Sequence, residues 1–154
     1  MLVSYPALFY YDKSEKVPFF VTFPDFTNSA TQGLNISDAM AMASDWLGIT
    51  VADYIENNRD LPKPSDIQTL SLKRNNPYPS ELNYDQDLSF MSMVMVDLNG
   101  YIGSEQPIKK TLTIPKWADK LGKKLNLNFS KTLTEAIANK KGSILFPVDE
   151  LPMW

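Results

Sequence analysis

The chain has 154 residues, 44% of them hydrophobic, and a net charge of −3, which suits one domain or two small ones and excludes a disordered protein. It contains no cysteine and no histidine, so disulfides, thiolate metal sites, cysteine nucleophiles and a Ser-His-Asp triad are excluded. No run reaches the roughly 18 apolar residues of a membrane span, and the N-terminus lacks signal-peptide features, so we expect a cytoplasmic protein without membrane segments.

Charge is divided unevenly along the chain. Residues 1–60 contain eight acids and three bases, whereas residues 108–142 contain nine lysines and two acids. The C-terminal segment would therefore attract polyanions that the rest of the chain would repel. A lysine-coated helical surface without a ligand is the alternative interpretation.

The N-terminal residues predict a small β-sheet. Residues 2–11 and 17–23 are rich in aromatic and branched side chains and flank the polar loop "DKSEK", a pattern typical of a β-hairpin. The stretch "SATQG", residues 29–33, predicts a short third strand.

One helix is predicted after these strands. Asn35 is suited to be its N-cap, and the spacing of apolar residues continues to about Asn58. A break or bend at Gly48 is an alternative interpretation of the same pattern. We expect the helix to lie on the sheet.

The next segment predicts a long connection and then a strand. Residues 61–87 are rich in Pro, Asn, Asp and Ser, with a short strand expected at "IQTLSL". The clearest strand is "LSFMSMVMVDL", residues 88–98, with Phe90, Val94 and Val96 on one face and three methionines on the other. We expect the helix to cover one face, and either a partner chain or, if the strand is central, loops to cover the other.

The C-terminal part predicts a strand followed by two helices. "IKKTLTIPKW" alternates apolar and polar residues until Pro115, which predicts a short strand. We expect one helix at about residues 116–125. A second helix is predicted from a Ser130 N-cap to about Lys141, closed by Gly142.

These elements divide the chain into parts. We expect an N-terminal domain at residues 1–98 and a turn-rich hinge at residues 99–107. A second domain follows at residues 108–142. The tail, residues 143–154, contains two prolines and is expected to lack regular structure.

A strand and two helices are too few to bury a core alone, and one strand leaves both of its edges unpaired. A homodimer removes both problems, because two strands pair into an antiparallel ribbon above four helices. Such a ribbon fits the major groove of double-stranded DNA, and a helix N-terminus suits a phosphate. The predicted DNA-binding residues are Lys109, Lys110, Thr111, Thr113, Ser130 and Lys131. The predicted dimer core consists of Leu112, Ile114, Trp117, Leu121, Leu133 and Ile137.

The segment "KKTLTIPKWADKLGKKLNLNFSKTLTEAI" resembles the ribbon-helix-helix repressors. The preceding stretches "YPALFYY", "FPDF", "TQG", "ISDAMAMASDWL", "LPKPS" and "MVMVDL" resemble, in their order, the HicB antitoxin family. Members of that family usually have a glycine and often a small residue after the "FPDF" turn, where this chain has Asn28 and Ser29. The resemblance implies an α+β fold, with a partial RNase H-like sheet and one helix in residues 1–98 and a C-terminal ribbon-helix-helix domain.

The same resemblance implies a type II antitoxin with no catalytic residue and no cofactor. It would bind a small HicA-like toxin that cleaves mRNA, and repress its own operon by binding operator DNA as a homodimer. The acidic N-terminal half suits this role, because a toxin that cuts RNA needs a basic surface. Trp46 and Tyr54 on the helix are candidate toxin contacts, although either could simply belong to the core.

Other functions find less support in the residues. An RNase H-type nuclease needs carboxylates that converge on metal ions, whereas Asp12, Asp25 and Asp97 lie near turns and strand ends, so we expect no metal site. A stand-alone ribbon-helix-helix regulator with a ligand-sensing N-terminal domain is the alternative function, but the sequence contains no glycine-rich phosphate loop. The alternative structure is a single α/β domain that includes the C-terminal helices, which leaves the division of charge unexplained.

Overall fold

The computed structural model describes residues 1–102 and 109–145, with side chains described up to residue 140. The chain divides into two compact units, Leu2–Gly103 and a second that begins at Ser104. Every buried hydrophobic side chain among the described residues belongs to the first unit, which therefore has a core of its own. No helix within the described ranges is both long and apolar enough to cross a membrane.

The first unit contains a four-stranded antiparallel sheet. Its strands in chain order are β1 Leu2–Tyr11, β2 Phe19–Thr22, β3 Thr31–Gly33 and β4 Phe90–Asp97, so the predicted hairpin, short third strand and later strand are confirmed. The order in space is β3-β2-β1-β4. In the central strand β1, Phe9 lies opposite both Val21 and Phe90, which explains why β1 is almost wholly buried.

One continuous helix, α1, spans Ile36–Glu56 and packs on the sheet. The Asn35 carboxamide oxygen accepts a hydrogen bond from the Asp38 N–H at 2.9 Å, so the predicted N-cap is confirmed. The helix is not broken at Gly48. A Cβ atom at Gly48 would lie 2.7 Å from the ring of Tyr101, so this glycine makes room for an aromatic side chain.

Residues 61–87 run across the sheet and supply partners for its tyrosines. The Tyr10 hydroxyl donates to the Leu72 carbonyl at 2.6 Å, and the Tyr84 ring packs edge-on against the Tyr10 ring at 4.9 Å. The Tyr5 hydroxyl donates to a carbonyl at the start of the same connection, also at 2.6 Å. The long connection is therefore part of the packed structure of this unit.

The prediction of a short strand at "IQTLSL" is wrong. Ile67–Thr69 form a 3-10 helix instead. The Asp66 carboxylate caps this helix by accepting from the Gln68 N–H at 2.9 Å. Local bonds of this kind compete with strand pairing, and the periodicity of the apolar residues does not reveal them.

β4 forms an edge of the sheet and is not a central strand. Val94 and Val96 are buried, whereas Met95 exposes 59% of its surface. The Ser44 hydroxyl of α1 donates to the Met95 carbonyl at 2.8 Å, which occupies part of this edge. The methionine face is thus only partly covered within the described chain.

The turn after β2 contains a residue in a left-handed backbone conformation. Asn28 has φ 57°, in the left-handed region that favours glycine and that asparagine tolerates. The buried Ser29 hydroxyl accepts from the Phe23 N–H at 2.7 Å and donates to the Phe23 carbonyl at 2.8 Å. Asn28 therefore adopts a backbone conformation that a glycine at this position would also adopt without strain.

The described part of the second unit contains two helices, α2 at Lys116–Lys124 and α3 at Phe129–Leu145. Both were predicted. Residues 109–115 have no regular secondary structure in this single chain, and Ile108 and the tail after residue 145 lie outside the described residues. Because a ribbon strand pairs only with a second copy, the ribbon stays a prediction.

Both predicted ends of α3 are wrong. The Asn128 carboxamide oxygen accepts from the Lys131 N–H at 3.1 Å, so Asn128 is the side chain that caps the helix and Ser130 lies within the first turn. Gly142 does not end α3, because the helix continues to Leu145. The prediction that the tail lacks regular structure is therefore wrong for residues 143–145. A glycine inside a helix is unfavourable by roughly 1 kcal/mol and does not have to stop it.

Candidate protein-binding and nucleic-acid-binding surfaces

An aromatic cluster joins α1 to the turn after β2. The Trp46 ring stacks on Phe23 at 5.1 Å and meets Phe26 edge-on at 5.7 Å, and Tyr54 meets Phe26 at 5.8 Å. Tyr5 of β1 contacts the same Phe26 ring at 4.7 Å. Trp46 and Tyr54 are both half-buried, so each packs against the core and also reaches the surface. Their role as toxin contacts stays a prediction.

The side of α1 that faces away from the sheet carries exposed apolar and acidic side chains together. Met42 and Ile49 expose 41% and 58% of their surface. Asp45 lies between these two residues and Asp53 lies one helical turn after Ile49, and both acids are exposed. Sequence reasoning missed this surface, because the apolar spacing of α1 does not itself show which apolar residues the sheet leaves uncovered.

Each of the predicted scattered carboxylates accepts hydrogen bonds within the first unit. Asp12 accepts from the Ser14 hydroxyl and N–H at 2.6 and 3.0 Å, and these bonds hold the pKa of Asp12 below its usual range. A bond from the Asn99 N–H lowers the pKa of Asp97 in the same way. Asp25 accepts from the N–H of a residue in the long connection at 3.0 Å. Over the described ranges, no three potential metal-ligating side chains come together.

The side chains predicted to form a dimer core are exposed in the second unit of this single chain. Trp117 and Ile137 expose 68% and 60% of their surface. Leu125, Leu127 and Phe129 are also exposed and enlarge the apolar surface beyond the predicted set. Apolar side chains exposed in such numbers are typical of a protein interface. The six predicted core residues, all exposed, are Leu112, Ile114, Trp117, Leu121, Leu133 and Ile137.

The predicted DNA-binding residues are exposed as well. Ser130 and Lys131 lie in the first turn of α3, where helix N–H groups and a lysine ammonium favour an anion. The Lys131 N–H is already used by the Asn128 cap, so a phosphate there would depend on the Lys131 side chain and neighbouring N–H groups. The other four, on the segment before α2, are Lys109, Lys110, Thr111 and Thr113.

Both units expose surfaces suited to other macromolecules, which places the chain among binding proteins. A family model described as the HicB-like antitoxin of bacterial toxin–antitoxin systems matches residues 4–73. A chain in the structure of a toxin–antitoxin complex from Streptococcus pneumoniae is 61% identical, with a TM-score of 0.65. That match covers 91% of this chain and 99% of the other. The protein therefore belongs to the HicB-like antitoxins, and it is not an enzyme.

A more distant structure shares the fold. The crystal structure of the antitoxin HicB from Burkholderia pseudomallei is 21% identical, with a TM-score of 0.51. The match covers 88% of this chain and 96% of that one. No curated protein sequence matched the chain. The α+β arrangement described above is thus found in another member of the antitoxin family.

Proposed function

We propose that this antitoxin neutralises a small HicA-like toxin that cleaves mRNA, and that it represses its own operon as a DNA-binding homodimer. The observation that carries the proposal is the 61% identity, over 91% of the chain, to a chain of a toxin–antitoxin complex. Both roles belong in the cytoplasm, where a bacterial protein meets mRNA and operator DNA.

The first unit, Leu2–Gly103, is the part proposed to bind the toxin. Its sheet and single helix would form a partial RNase H-like domain without enzymatic use. Residues 1–60 contain eight acids and three bases, a charge that would oppose nucleic acid. A toxin that cuts RNA needs a basic surface to hold its substrate, and an acidic partner complements and covers such a surface.

The second unit is proposed to form a ribbon-helix-helix dimer that binds DNA. Its support is the coincidence of exposed apolar side chains on α2 and α3 with nine lysines in residues 108–142. Dimerisation would bury the apolar surface, and it would give the strand predicted before Pro115 a pairing partner. The lysines would then neutralise phosphates on either side of the ribbon.

Two assays with the purified full-length chain test the proposal. We expect the chain to abolish the ribonuclease activity of the toxin encoded beside it, and to retain a duplex from its own promoter in gel-shift titrations. Ribonuclease activity that stays unchanged in the presence of the chain would contradict the neutralisation of the toxin. A duplex whose mobility stays unchanged would contradict the binding of operator DNA.

Variants of the ribbon and of α3 separate sequence reading from phosphate contact. Replacing Thr111 and Thr113 by alanine should relax the preference for operator over scrambled duplex, because these side chains would face base edges. Lys131→Ala should weaken the binding of both duplexes about equally and make the binding constant less dependent on salt. These roles would be contradicted if the threonine double variant bound both duplexes with unchanged affinity. They would also be contradicted if the Lys131 variant lost affinity for the operator alone.

The ligand-sensing alternative gains little from the structure. A cleft beside the turn after β2 is lined by Thr22, Ser29, Asn75 and Tyr78 among others. The Thr22 and Ser29 hydroxyls lie 3.0 Å apart and bond to each other, and the Ser29 hydroxyl also bonds the backbone of Phe23. These polar groups satisfy one another, so this cleft does not favour a small-molecule function.

A further inference from the structure

The outer side of α1 is not needed for the core of the first unit. Ala39, Ala43, Leu47 and Val51 are buried and account for the packing of the helix on the sheet. The opposite side presents what we call the outer stripe, a row of exposed residues three and four positions apart. Its members are Met42, Asp45, Ile49, Asp53 and Glu56.

We propose that the outer stripe of α1 is the surface on which the basic toxin docks. This inference rests on the proposed function and specifies where the first unit would make its contact. The stripe combines two exposed apolar side chains with three acids on one rigid helix, and a rigid element holds interface residues in place without an ordering cost.

The apolar members of the stripe supply the contact that a bound partner would bury. Ile49 exposes 58% of its surface and Met42 exposes 41%. Fully burying a side chain of this size is favourable by about 1.5–3 kcal/mol, and methionine adapts its shape to a partner. Trp46 lies beside the stripe, but its ring already stacks on Phe23 at 5.1 Å, so it has less free surface to offer.

The charge of α1 selects the kind of partner. Residues 36–56 contain Asp38, Asp45, Asp53 and Glu56, and no lysine or arginine. The Tyr101 hydroxyl donates to the Asp45 carboxylate at 2.9 Å, which fixes that carboxylate beside Ile49. Arg59 forms a salt bridge with Asp53 near the end of the helix. Among the described residues, the negative charge of the stripe is therefore least neutralised in its middle.

Other occupants fit the stripe poorly. Nucleic acid would be repelled by the acids, since its affinity depends on cationic side chains that neutralise phosphates. A second copy of α1 would bring like charges together, which opposes association. A protein with a basic RNA-holding surface is attracted by the acids and can bury Met42 and Ile49, which is the chemistry expected of an RNA-cutting toxin.

The test compares two lysine substitutions in the full-length chain. Ile49→Lys places a positive charge, the same sign as that of the basic toxin, in the middle of the stripe. Leu88→Lys exchanges another exposed aliphatic residue for lysine outside α1, at a similar exposure of 53%. With the purified toxin in a calorimetric titration, we expect Ile49→Lys to raise the Kd by about tenfold or more. Leu88→Lys should leave the Kd within roughly twofold.

Asp45→Asn provides a second, milder variant that keeps the shape of the side chain and an oxygen for the Tyr101 hydroxyl. It should lower the association rate constant for toxin and reduce its dependence on salt, because the carboxylate steers the encounter. Circular dichroism establishes that each variant is folded. If Ile49→Lys loses its helicity, Ile49→Gln takes its place, with the same direction of effect expected.

The outcomes separate the two levels of the account. Equal affinity of the Ile49 and Leu88 variants, together with unchanged association of Asp45→Asn, would overturn the outer stripe as the docking surface while leaving the antitoxin function intact. Failure of the unmodified chain to bind toxin would instead contradict the proposed function itself.

Discussion

At Gly33, the last residue of β3, the sheet and α1 come too close for a side chain. A Cβ atom there would lie 2.4 Å from the backbone N of Ala39, whereas one at Gly100 would meet nothing within 4 Å. We expect Gly33→Ala to lower the free energy of unfolding by about 1–3 kcal/mol, because helix or strand must shift. Gly100→Ala should change it by less than about 0.5 kcal/mol. Urea unfolding of both variants checks this, and equal midpoints would contradict the packing described.

The buried tyrosine hydroxyls should make the first unit less stable at alkaline pH. Burial raises the pKa of Tyr5 and of Tyr10 above the ordinary value of 10.0, and both hydroxyls donate to carbonyls of the long connection. A raised folded-state pKa means that the stability is complete below pH 10 and falls as the pH rises above it. Urea midpoints at pH 8 and at pH 11 should therefore differ, with the lower midpoint at pH 11.

The variant Tyr10→Phe distinguishes this titration from general alkaline unfolding. It should lose about 1 kcal/mol at pH 8 through the missing hydrogen bond to Leu72. It should also show a smaller further loss between pH 8 and pH 11 than the unmodified chain. An identical pH dependence in both proteins would show that Tyr10 does not contribute.

Among the elements, the start of α3 offers the sharpest comparison. Asn128→Ala removes the side chain that accepts from the Lys131 N–H, and it should destabilise the helix by about 1 kcal/mol. Ser130→Ala, within the first turn, should have little effect. Amide hydrogen exchange over the first turns of α3 measures the difference. Faster exchange in the Ser130 variant than in the Asn128 variant would contradict the assignment of the cap.

An apolar spacing with one clear cap could be predicted from the sequence, whereas contacts with distant residues and the choice between competing local hydrogen bonds could not. The Asn35 cap and the apolar spacing after it define α1 from the sequence. The structural role of Gly48 depends on Tyr101, whose ring contacts it only in the folded chain. "IQTLSL" has strand-forming residues, but the cap at Asp66 determines its local structure. Asn128 and Ser130 are both good caps, and composition alone does not choose between them.

The candidate surfaces show the same limit. Net charge indicated an acidic N-terminal part and a basic segment. The spacing of apolar residues, alternating before Pro115 and helical after it, indicated six of the apolar residues that are exposed on the second unit. The exposure of Met42 and Ile49 was not predictable in this way, because their neighbours in sequence include buried residues such as Ala43 and Leu47. Only the packing of α1 on the sheet determines which apolar residues remain outside.

At the scale of the molecule, dimerisation should depend on the apolar surface of α2 and α3. Leu121 exposes 47% of its surface in the single chain, so Leu121→Lys should leave the chain folded and make it monomeric. DNA retention should fall with it, while toxin binding by the first unit should persist. Sedimentation at micromolar concentration measures the assembly. An unmodified chain that sediments as a monomer would contradict the proposed dimer.

The division of labour between the two units is the central claim, and a ribonuclease assay with residues 1–102 tests it most directly. This fragment contains every buried hydrophobic side chain of the described residues and includes Tyr101, which packs at Gly48. We predict that the fragment inhibits the purified toxin at the same molar ratio as the full chain and does not retain operator duplex. A fragment that is folded by circular dichroism yet leaves RNA cleavage intact would contradict the account.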